Sequence, residues 1–322
     1  MHVLLVKTSS LGDVVHNLPV VTDIQRHYPG AVIDWVVEEA FADIPRLHPG
    51  VHRVIPVALR RWRKRLFAAA TWREMAAFRR ELRRDFYDVV LDTQGLIKSA
   101  VLARQAQLAA HGRRLGFAAE AAREPLAARF YDAGFMIAKN AHAVGRNRRL
   151  AAAAFDYTLN TPLDYGIAAA SLSASWLPAM PYAVLLTGTS RADKLWPESY
   201  WVALAKALNV YVILPAGSAE ERQRAQRLAA QISPAFVAPP LGIAELARLM
   251  AGAQMVIGLD TGLTHLAAAL NKPTLAIFSG SDPELTGVHA GTLLASAAIN
   301  IGRNGVPPIV AEVIAAVGNL LR

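Results

Sequence analysis

The chain has 322 residues, 53% of them hydrophobic, a formal net charge of +9 and no cysteine. That is enough apolar material for a substantial core, and the length favours two domains of ordinary size. It excludes a disulfide framework and a thiolate metal site, and fits a reducing cytoplasm. The longest apolar runs, such as residues 256–259 and 275–278, fall far short of the roughly 18 residues a membrane-spanning helix needs, and MHVLLVK is too short for a secretory signal. Residues 1–150 carry 24 Lys and Arg against 14 Asp and Glu, or +10, while residues 151–322 carry 10 against 11, or −1. A basic surface confined to one half suits nucleic acid, anionic headgroups or a phosphorylated substrate, and gives the two halves different jobs.

Apolar runs repeatedly lead into a Gly/Ser/Asp/Thr loop and then a helical pattern, the signature of βα units in parallel sheets. Residues 2–6 predict a strand, TSSLGD the loop after it, and a helix from about Val14. Further strands are expected at 33–37 and 89–91, the latter running through DTQG into a helix from about Ile97. Between them RRWRKR, residues 60–65, is the densest basic run, and its Trp62 suits a membrane interface. Met75, Phe78, Leu82 and Phe86 then follow helical spacing, which leaves Arg79, Arg80, Arg83 and Arg84 on a solvated helix face. The proline-containing, weakly charged stretch 161–181 predicts a linker between domains 1–160 and 182–322. Beyond it, strand 182–186 leads through TGTSRADKLWP to a helix opened by Pro197 and Glu198, and strand 210–214 leads through PAGSAEE to another. Strand 255–259 leads through DTG to a helix at 263–270, strand 274–278 ends at GSDP, and residues 308–321 predict a last helix that packs on either domain.

In open parallel sheets ligands bind beyond the carboxyl ends of the strands, so these loops carry the candidate chemistry. Asp13 sits in one, at a position that by itself reads as a helix cap. LDTGLTHLAAAL offers free backbone N–H groups at Thr261, Gly262 and Leu263, a candidate cradle for a pyrophosphate, with Asp260 and His265 beside it. The same residues also read as a turn with a packed histidine. Thr187, Thr189, Ser190 and Lys194 supply hydroxyls and a cation past another strand end, and Glu221 a carboxylate suited to ribose hydroxyls. The sequence lacks a DxD acid pair, HExxH, GxxxxGK[ST] and a Gly-x-Ser-x-Gly elbow, which points away from a metal-held pyrophosphate and a serine nucleophile.

Taken together, KTSSLGDVVHNLP, IDWVVEEAF, RVIPVALRRWRK, YDVVLDTQGLIKSA, AREPLAARFY, IAKNAHAV, DKLWPESYW and LDTGLTHLAAAL resemble, nearly end to end, the lipopolysaccharide core heptosyltransferases of glycosyltransferase family 9. The likeness is greatest to the branch that adds the first heptose. It implies an α/β chain of GT-B fold, two Rossmann-like domains facing a central cleft, the N-terminal one for the acceptor and the C-terminal one for the nucleotide sugar. The implied reaction is inverting, metal-independent transfer of L-glycero-D-manno-heptose from ADP-heptose to the inner 3-deoxy-D-manno-oct-2-ulosonic acid of a lipid A precursor, without a cofactor. The implied setting is the cytoplasmic face of a Gram-negative inner membrane, with peripheral contact to anionic headgroups and no nucleic acid partner.

By the same resemblance Asp13 falls on the catalytic base, Lys194 on the group that neutralises the leaving diphosphate, and Ser10, Gly12, Arg60, Arg63 and Lys64 on acceptor positions. Thr189, Ser190, Lys194, Glu221, Leu241, Asp260, Thr261, Gly262 and His265 fall on donor positions. Ser190 stands where a threonine is usual and Leu241 where a methionine occurs. Two other readings remain open at this point: a family 9 enzyme adding a later heptose or using another nucleotide sugar, and a basic nucleic-acid-binding protein, which predicts steeply salt-dependent affinity.

Overall fold

In the computed structural model, which describes residues 1–189, 191–291 and 298–320, the alternating runs become two parallel sheets, one in each of the units Met1–Thr161 and Pro162–Arg322. The first unit runs β1 (His2–Val6), α1 (Leu11–Val15), α2 (Leu18–His27), β2 (Val32–Glu38), α3 (Asp43–Arg46), β3 (Val51–Val57), α4 (Leu59–Trp62), α5 (Ala69–Leu82), β4 (Phe86–Asp92), α6 (Ile97–Gln105), β5 (Gln107–Phe117), β6 (Ala133–Phe135) and α7 (Ala143–Phe155). Its strands lie in the order β3-β2-β1-β4-β5-β6, all parallel. β1 is central, with Leu5 paired to Trp35 on one side and Leu91 on the other, and Val3, Leu4, Leu5 and Val6 fully buried. The chain winds from β1 outward to β3 and then returns to place β4 on the other side of β1, which creates a topological switch point at the carboxyl ends of β1 and β4.

Toward the amino ends of these strands, Asp34 is fully buried and gathers partners from its neighbours. Arg53 Nη2 lies 2.6 Å, Tyr87 Oη 2.9 Å and His2 Nε2 3.2 Å from its Oδ2, and His52 Nδ1 lies 3.0 Å from its Oδ1. Burial pushes this carboxyl up, but hydrogen bonds from His52, Arg53 and Tyr87 outweigh that cost and hold it below its ordinary range. The network ties four adjacent strands at the end of the sheet away from the switch point.

Two expectations change here. Phe86, spaced as a fourth member of a helix face, instead opens β4 with its ring exposed, because α5 ends at Leu82 and pairing with β5, and from Val89 with β1, claims the following segment. Trp62 does not face a membrane: it is 6% exposed, packs edge-on against Phe78 at 5.8 Å and donates from Nε1 to Glu74 Oε2 at 2.8 Å.

The second unit runs β7 (Tyr182–Leu186), α8 (Glu198–Leu208), β8 (Tyr211–Leu214), α9 (Ala219–Ala229), β9 (Ala235–Val237), α10 (Ile243–Gly252), β10 (Met255–Leu259), α11 (Gly262–Ala269), β11 (Thr274–Phe278), α12 (Pro283–Thr286), β12 (Ala298–Gly302) and α13 (Val310–Leu320). Its order, β12-β11-β10-β7-β8-β9, is the same winding as in the first unit, with the switch point at the carboxyl ends of β7 and β10. Leu185, Ile257 and Ile277 of the sheet share one core with Trp196, Trp201 and Leu204, and with Val313 and Val317 of α13, so the last helix packs on this sheet. In the stretch 161–181, Leu172 N–H donates to Arg248 O at 3.0 Å and Trp176 stacks on Phe236, which draws that stretch onto the second unit. Gly258 in β10 is required by close approach: a Cβ there would lie 2.4 Å from Thr264 Oγ1, the hydroxyl that donates to Leu259 O at 2.6 Å and seats α11 on the strand.

Candidate active site

In the first unit the loop after β1 is built around two buried side chains, one from the end of β4 and one from the loop after it. Gln94 Oε1 accepts from Thr8 N–H at 2.8 Å and Ser9 N–H at 3.1 Å, while its Nε2 donates to Ser9 O at 2.6 Å. Asp92, itself fully buried, accepts from Gln94 N–H at 2.7 Å, Gly95 N–H at 3.2 Å and Tyr131 Oη at 2.8 Å. Burial raises the Asp92 carboxyl despite hydrogen bonds from Ser99, Tyr131 and the backbone. Lys7 closes the base of the loop, donating to Thr93 O at 2.8 Å. Burial pushes the Lys7 ammonium down, and the nearby charges of Asp13 and Asp92 pull it back.

On this scaffold Asp13 stands at the third position of α1, where its Oδ2 accepts from Ser10 N–H at 2.7 Å and Ser10 Oγ at 3.0 Å. The expected cap is therefore real but reciprocal: Ser10 occupies the cap position and Asp13 reaches back to it. Oδ1 of Asp13 has no hydrogen-bond partner among the described residues. Gly12 lies in α1 one residue before it, and Lys98 donates to Ser9 Oγ at 3.2 Å.

The basic run divides by role. Arg61 is consumed by Glu39, at 3.0 Å from both Nε and Nη2, and by Glu74 at 2.7 Å. Arg60 is anchored by its N–H to Glu38 Oε1 at 3.0 Å, with its guanidinium over the Phe41 ring at 5.1 Å. Arg63 and Lys64 are exposed and pair with no acid among the described residues. Burial raises the Glu38 carboxyl beneath this loop.

In the second unit the sides of the switch point meet through Asp260. Lys194 Nζ, from the loop after β7, lies 2.5 Å from its Oδ2; Ser281 Oγ, from the loop after β11, also donates to Oδ2; His265 Nε2 lies 3.4 Å from Oδ1. Burial alone pushes Asp260 up, but bonds from His265, Lys194 and Ser281 reverse this and place the carboxyl far below its ordinary range. Directly beyond, α11 begins, and the N–H groups of Thr261, Gly262 and Leu263 have no backbone acceptor among the described residues. A lysine fixed at 14% side-chain exposure beside an open helix N-terminus is a ready anion site.

Next to it is a pocket of about 120 Å³ that brings Glu221, Leu241 and Thr261 together with Leu186, Gly188 and Leu246. Glu221 serves two purposes: its Oε2 accepts from Gly217 N–H at 2.8 Å and Ser218 N–H at 3.0 Å, capping α9, while Oε1 faces Gly188. A Cβ on Gly188 would come within 2.6 Å of that oxygen, so the glycine makes room for the carboxylate. Thr189 accepts from Arg191 N–H at 3.3 Å; Ser190 lies outside the described residues. Gln94, Asp92, Lys7 and Ser281 were not among the candidate site residues, although Asp92 and Gln94 stand within DTQG, Lys7 directly precedes TSSLGD and Ser281 stands in the GSDP that ends β11.

Residues 75–305 match the model of glycosyltransferase family 9 (heptosyltransferase). The chain belongs to glycosyltransferase family 9. It is 49% identical over 295 residues to lipopolysaccharide heptosyltransferase 1 of Pseudomonas aeruginosa, covering 90% of this chain and 81% of that one, and 46% identical over 291 residues to the Escherichia coli K12 protein of the same name, covering 89% and 90%. Among solved structures it is similar to E. coli heptosyltransferase WaaC with ADP, at 40% identity and a TM-score of 0.89 over 99% of both chains. The same enzyme with ADP-2-deoxy-2-fluoro heptose aligns at a TM-score of 0.83 and 41% identity, over 99% of this chain and 98% of that one. This family 9 chain is thus a glycosyltransferase whose two doubly wound sheets are the Rossmann-like halves of a GT-B fold. Among its described residues no helix is long and apolar enough to cross a membrane.

Proposed function

We propose that this chain transfers L-glycero-D-manno-heptose from ADP-heptose to the inner 3-deoxy-D-manno-oct-2-ulosonic acid of a lipid A precursor, with inversion at the anomeric carbon, in assembly of the lipopolysaccharide inner core. The observation that carries this reading is the end-to-end likeness to a heptosyltransferase solved with ADP and with an ADP-heptose analogue. The electrostatics agree: an anion site with an adjoining pocket in the second unit, and in the first both exposed cations and a carboxylate with a spare oxygen among the described residues.

Asp13 Oδ1 accepts the proton of the acceptor hydroxyl as that oxygen bonds to the anomeric carbon and ADP departs from the opposite face. A carboxylate suffices because the hydroxyl becomes acidic as the new bond forms. The diphosphate oxygens take the N–H groups at the start of α11 and the ammonium of Lys194, held in place by Asp260. Glu221 Oε1 receives the ribose hydroxyls, and Leu186, Leu241 and Leu246 flank the base. Thr189, Ser190, Gly262 and His265 complete the donor side. Ser10 and Gly12 keep the base loop small, and Arg60, Arg63 and Lys64 meet acceptor carboxylate and phosphate. With positive charge supplied by a lysine and a helix terminus, transfer proceeds unchanged in the presence of a chelator.

The decisive experiment offers the purified protein ADP-heptose with a defined ulosonic acid–lipid A acceptor, and with the same acceptor already bearing one heptose, and determines the linkage formed. Transfer to the first acceptor alone is expected. Preference for the second would assign the chain to a later step, and failure with both would overturn the donor or the acceptor. The proposed setting is the cytoplasmic face of the inner membrane, reached by peripheral contact.

A further inference from the structure

Helix α5 sorts its charges by face. Its two acids, both half-exposed, are engaged by residues outside the helix, Glu74 accepting from Arg61 at 2.7 Å and Trp62 Nε1 at 2.8 Å, and Glu81 accepting from Arg53 at 2.8 Å. At 100° per residue Trp72, Arg73, Arg79 and Arg80 fall off the line of these acids, and Arg83 and Arg84 follow the last turn, all exposed. Among the described residues Arg73, Arg79, Arg80 and Arg83 pair with no carboxylate, and Arg84 only approaches Glu81 at 4.0 Å. The helix that carries this basic strip is about 21 Å long.

Both ends of the strip are distinctive. At the amino end, exposed Arg63, Lys64 and Arg65 run into Leu66, which is 46% exposed, and Phe67, which stands wholly in solvent at 105%. Trp72, 59% exposed, donates from Nε1 to Leu66 O at 2.8 Å, so the apolar tip is tied to the helix. At the carboxyl end Arg79 and Arg83 border, with exposed Phe86 and Arg104 and buried Arg114, an open recess of about 530 Å³. A solvated face explains scattered arginines; it does not explain arginines left without a carboxylate beside acids that pair elsewhere, nor three large apolar side chains held out at one end.

We propose that α5 and the 63–68 loop form a docking face for an anionic lipid bilayer. Leu66, Phe67 and Trp72 enter the interfacial layer, and the outer arginines of α5 lie on headgroup phosphates, with the recess at its end receiving one of them. A nucleic acid matches the cations but offers no apolar layer to the loop tip. The docking face rests on the peripheral contact proposed above and deepens it, extending the contact from the end of the basic run to a helix that sequence spacing assigned to water.

The test uses the full chain and vesicles of phosphatidylcholine alone or mixed with phosphatidylglycerol. Wild-type protein is expected to float with the mixed vesicles only. Phe67→Ser weakens that partition roughly tenfold, and the combined Arg73→Glu, Arg80→Glu, Arg84→Glu variant weakens it at least about 100-fold. Both variants keep the wild-type circular dichroism and melting curve. Both transfer normally to a soluble, deacylated acceptor and poorly to an acceptor embedded in mixed vesicles. Wild-type protein that stays with the buffer, variants that float as well as wild type, or arginine-dependent binding to RNA in place of vesicles would each overturn the docking face. Flotation without any heptose transfer would overturn the proposed reaction and leave the docking face standing.

Discussion

Asp13 and Asp260 stand at the switch points of two sheets with the same winding, yet their surroundings are opposite. Asp13 uses one oxygen to hold Ser10 and leaves the other open among the described residues, whereas both oxygens of Asp260 are occupied, Oδ2 by Lys194 and Ser281 and Oδ1 by His265. A carboxylate with a spare oxygen at a strand end can take a proton; one saturated by a lysine, a hydroxyl and an imidazole is a clamp that aims a cation. The address in the fold marks where ligands bind, and the partners decide what each acid does there. The charge split follows the same division, with loose cations in the first unit and a fixed one in the second.

Replacing Asp13 is the most direct way to break this contrast. Asp13→Ala is expected to lower the transfer rate by about 10²–10⁴-fold, with ADP affinity by calorimetry and the melting temperature nearly unchanged. Turnover at the wild-type rate would return Asp13 to a cap and nothing more. On the other side, Lys194→Met removes the cation and leaves Asp260 with its charge half compensated. Transfer should fall about 10²–10³-fold, and here, unlike Asp13→Ala, ADP binding should weaken too. Equal ADP affinity in the two variants would erase the distinction between an acid that reacts and an acid that positions.

Much of this was legible in the sequence, for a physical reason. β1, β7, β10 and β11 are buried on both faces, so they read as continuous apolar runs, and the glycines and hydroxyls after them mark the turns. β3, β5, β6, β9 and β12 were not expected. β5 is QLAAHGRRLGF and only its carboxyl half is buried; β6 and β9 have three residues each and depend on a neighbour for their pairing. At the site, Asp13, Lys194, Asp260 and Glu221 were named from their loops. Gln94 was not, because its role lies in contacts some 85 residues away in the chain, to Thr8 and Ser9. Trp62 was misplaced for a similar reason: within RRWRKR it looks interfacial, and only its partners Glu74 and Phe78 show it to be core.

A stability measurement sharpens the comparison from the end of the fold that does no chemistry. Asp34→Ala strips Arg53, Tyr87, His2 and His52 of a shared partner and leaves the Arg53 guanidinium to Glu81 and Asp85, at 2.8 and 2.7 Å, a loss of about 1–3 kcal/mol. Because the folded Asp34 carboxyl titrates below its unfolded value, the stabilisation it provides is fully present above the ordinary carboxylate range and fades as pH falls through the folded value. Denaturant titrations of wild type and Asp34→Ala should therefore differ at neutral pH and converge in strong acid, with ADP affinity the same in both. A gap that persisted unchanged at the lowest pH would assign the loss to packing and not to charge.

The smallest effect tests the residue with two jobs. Glu221→Gln keeps a carbonyl oxygen able to accept from Gly217 and Ser218, so the cap of α9 should lose only about 0.5–1 kcal/mol. The oxygen facing Gly188 changes more: whichever amide atom takes that place, the bond it makes to a ribose hydroxyl is neutral, about half as strong as the charged one. ADP affinity is expected to drop by roughly tenfold, with Asp13-dependent chemistry on bound donor unaffected. If stability fell and affinity did not, Glu221 would be a cap alone, and the second unit would recognise its nucleotide through the diphosphate clamp and the apolar wall.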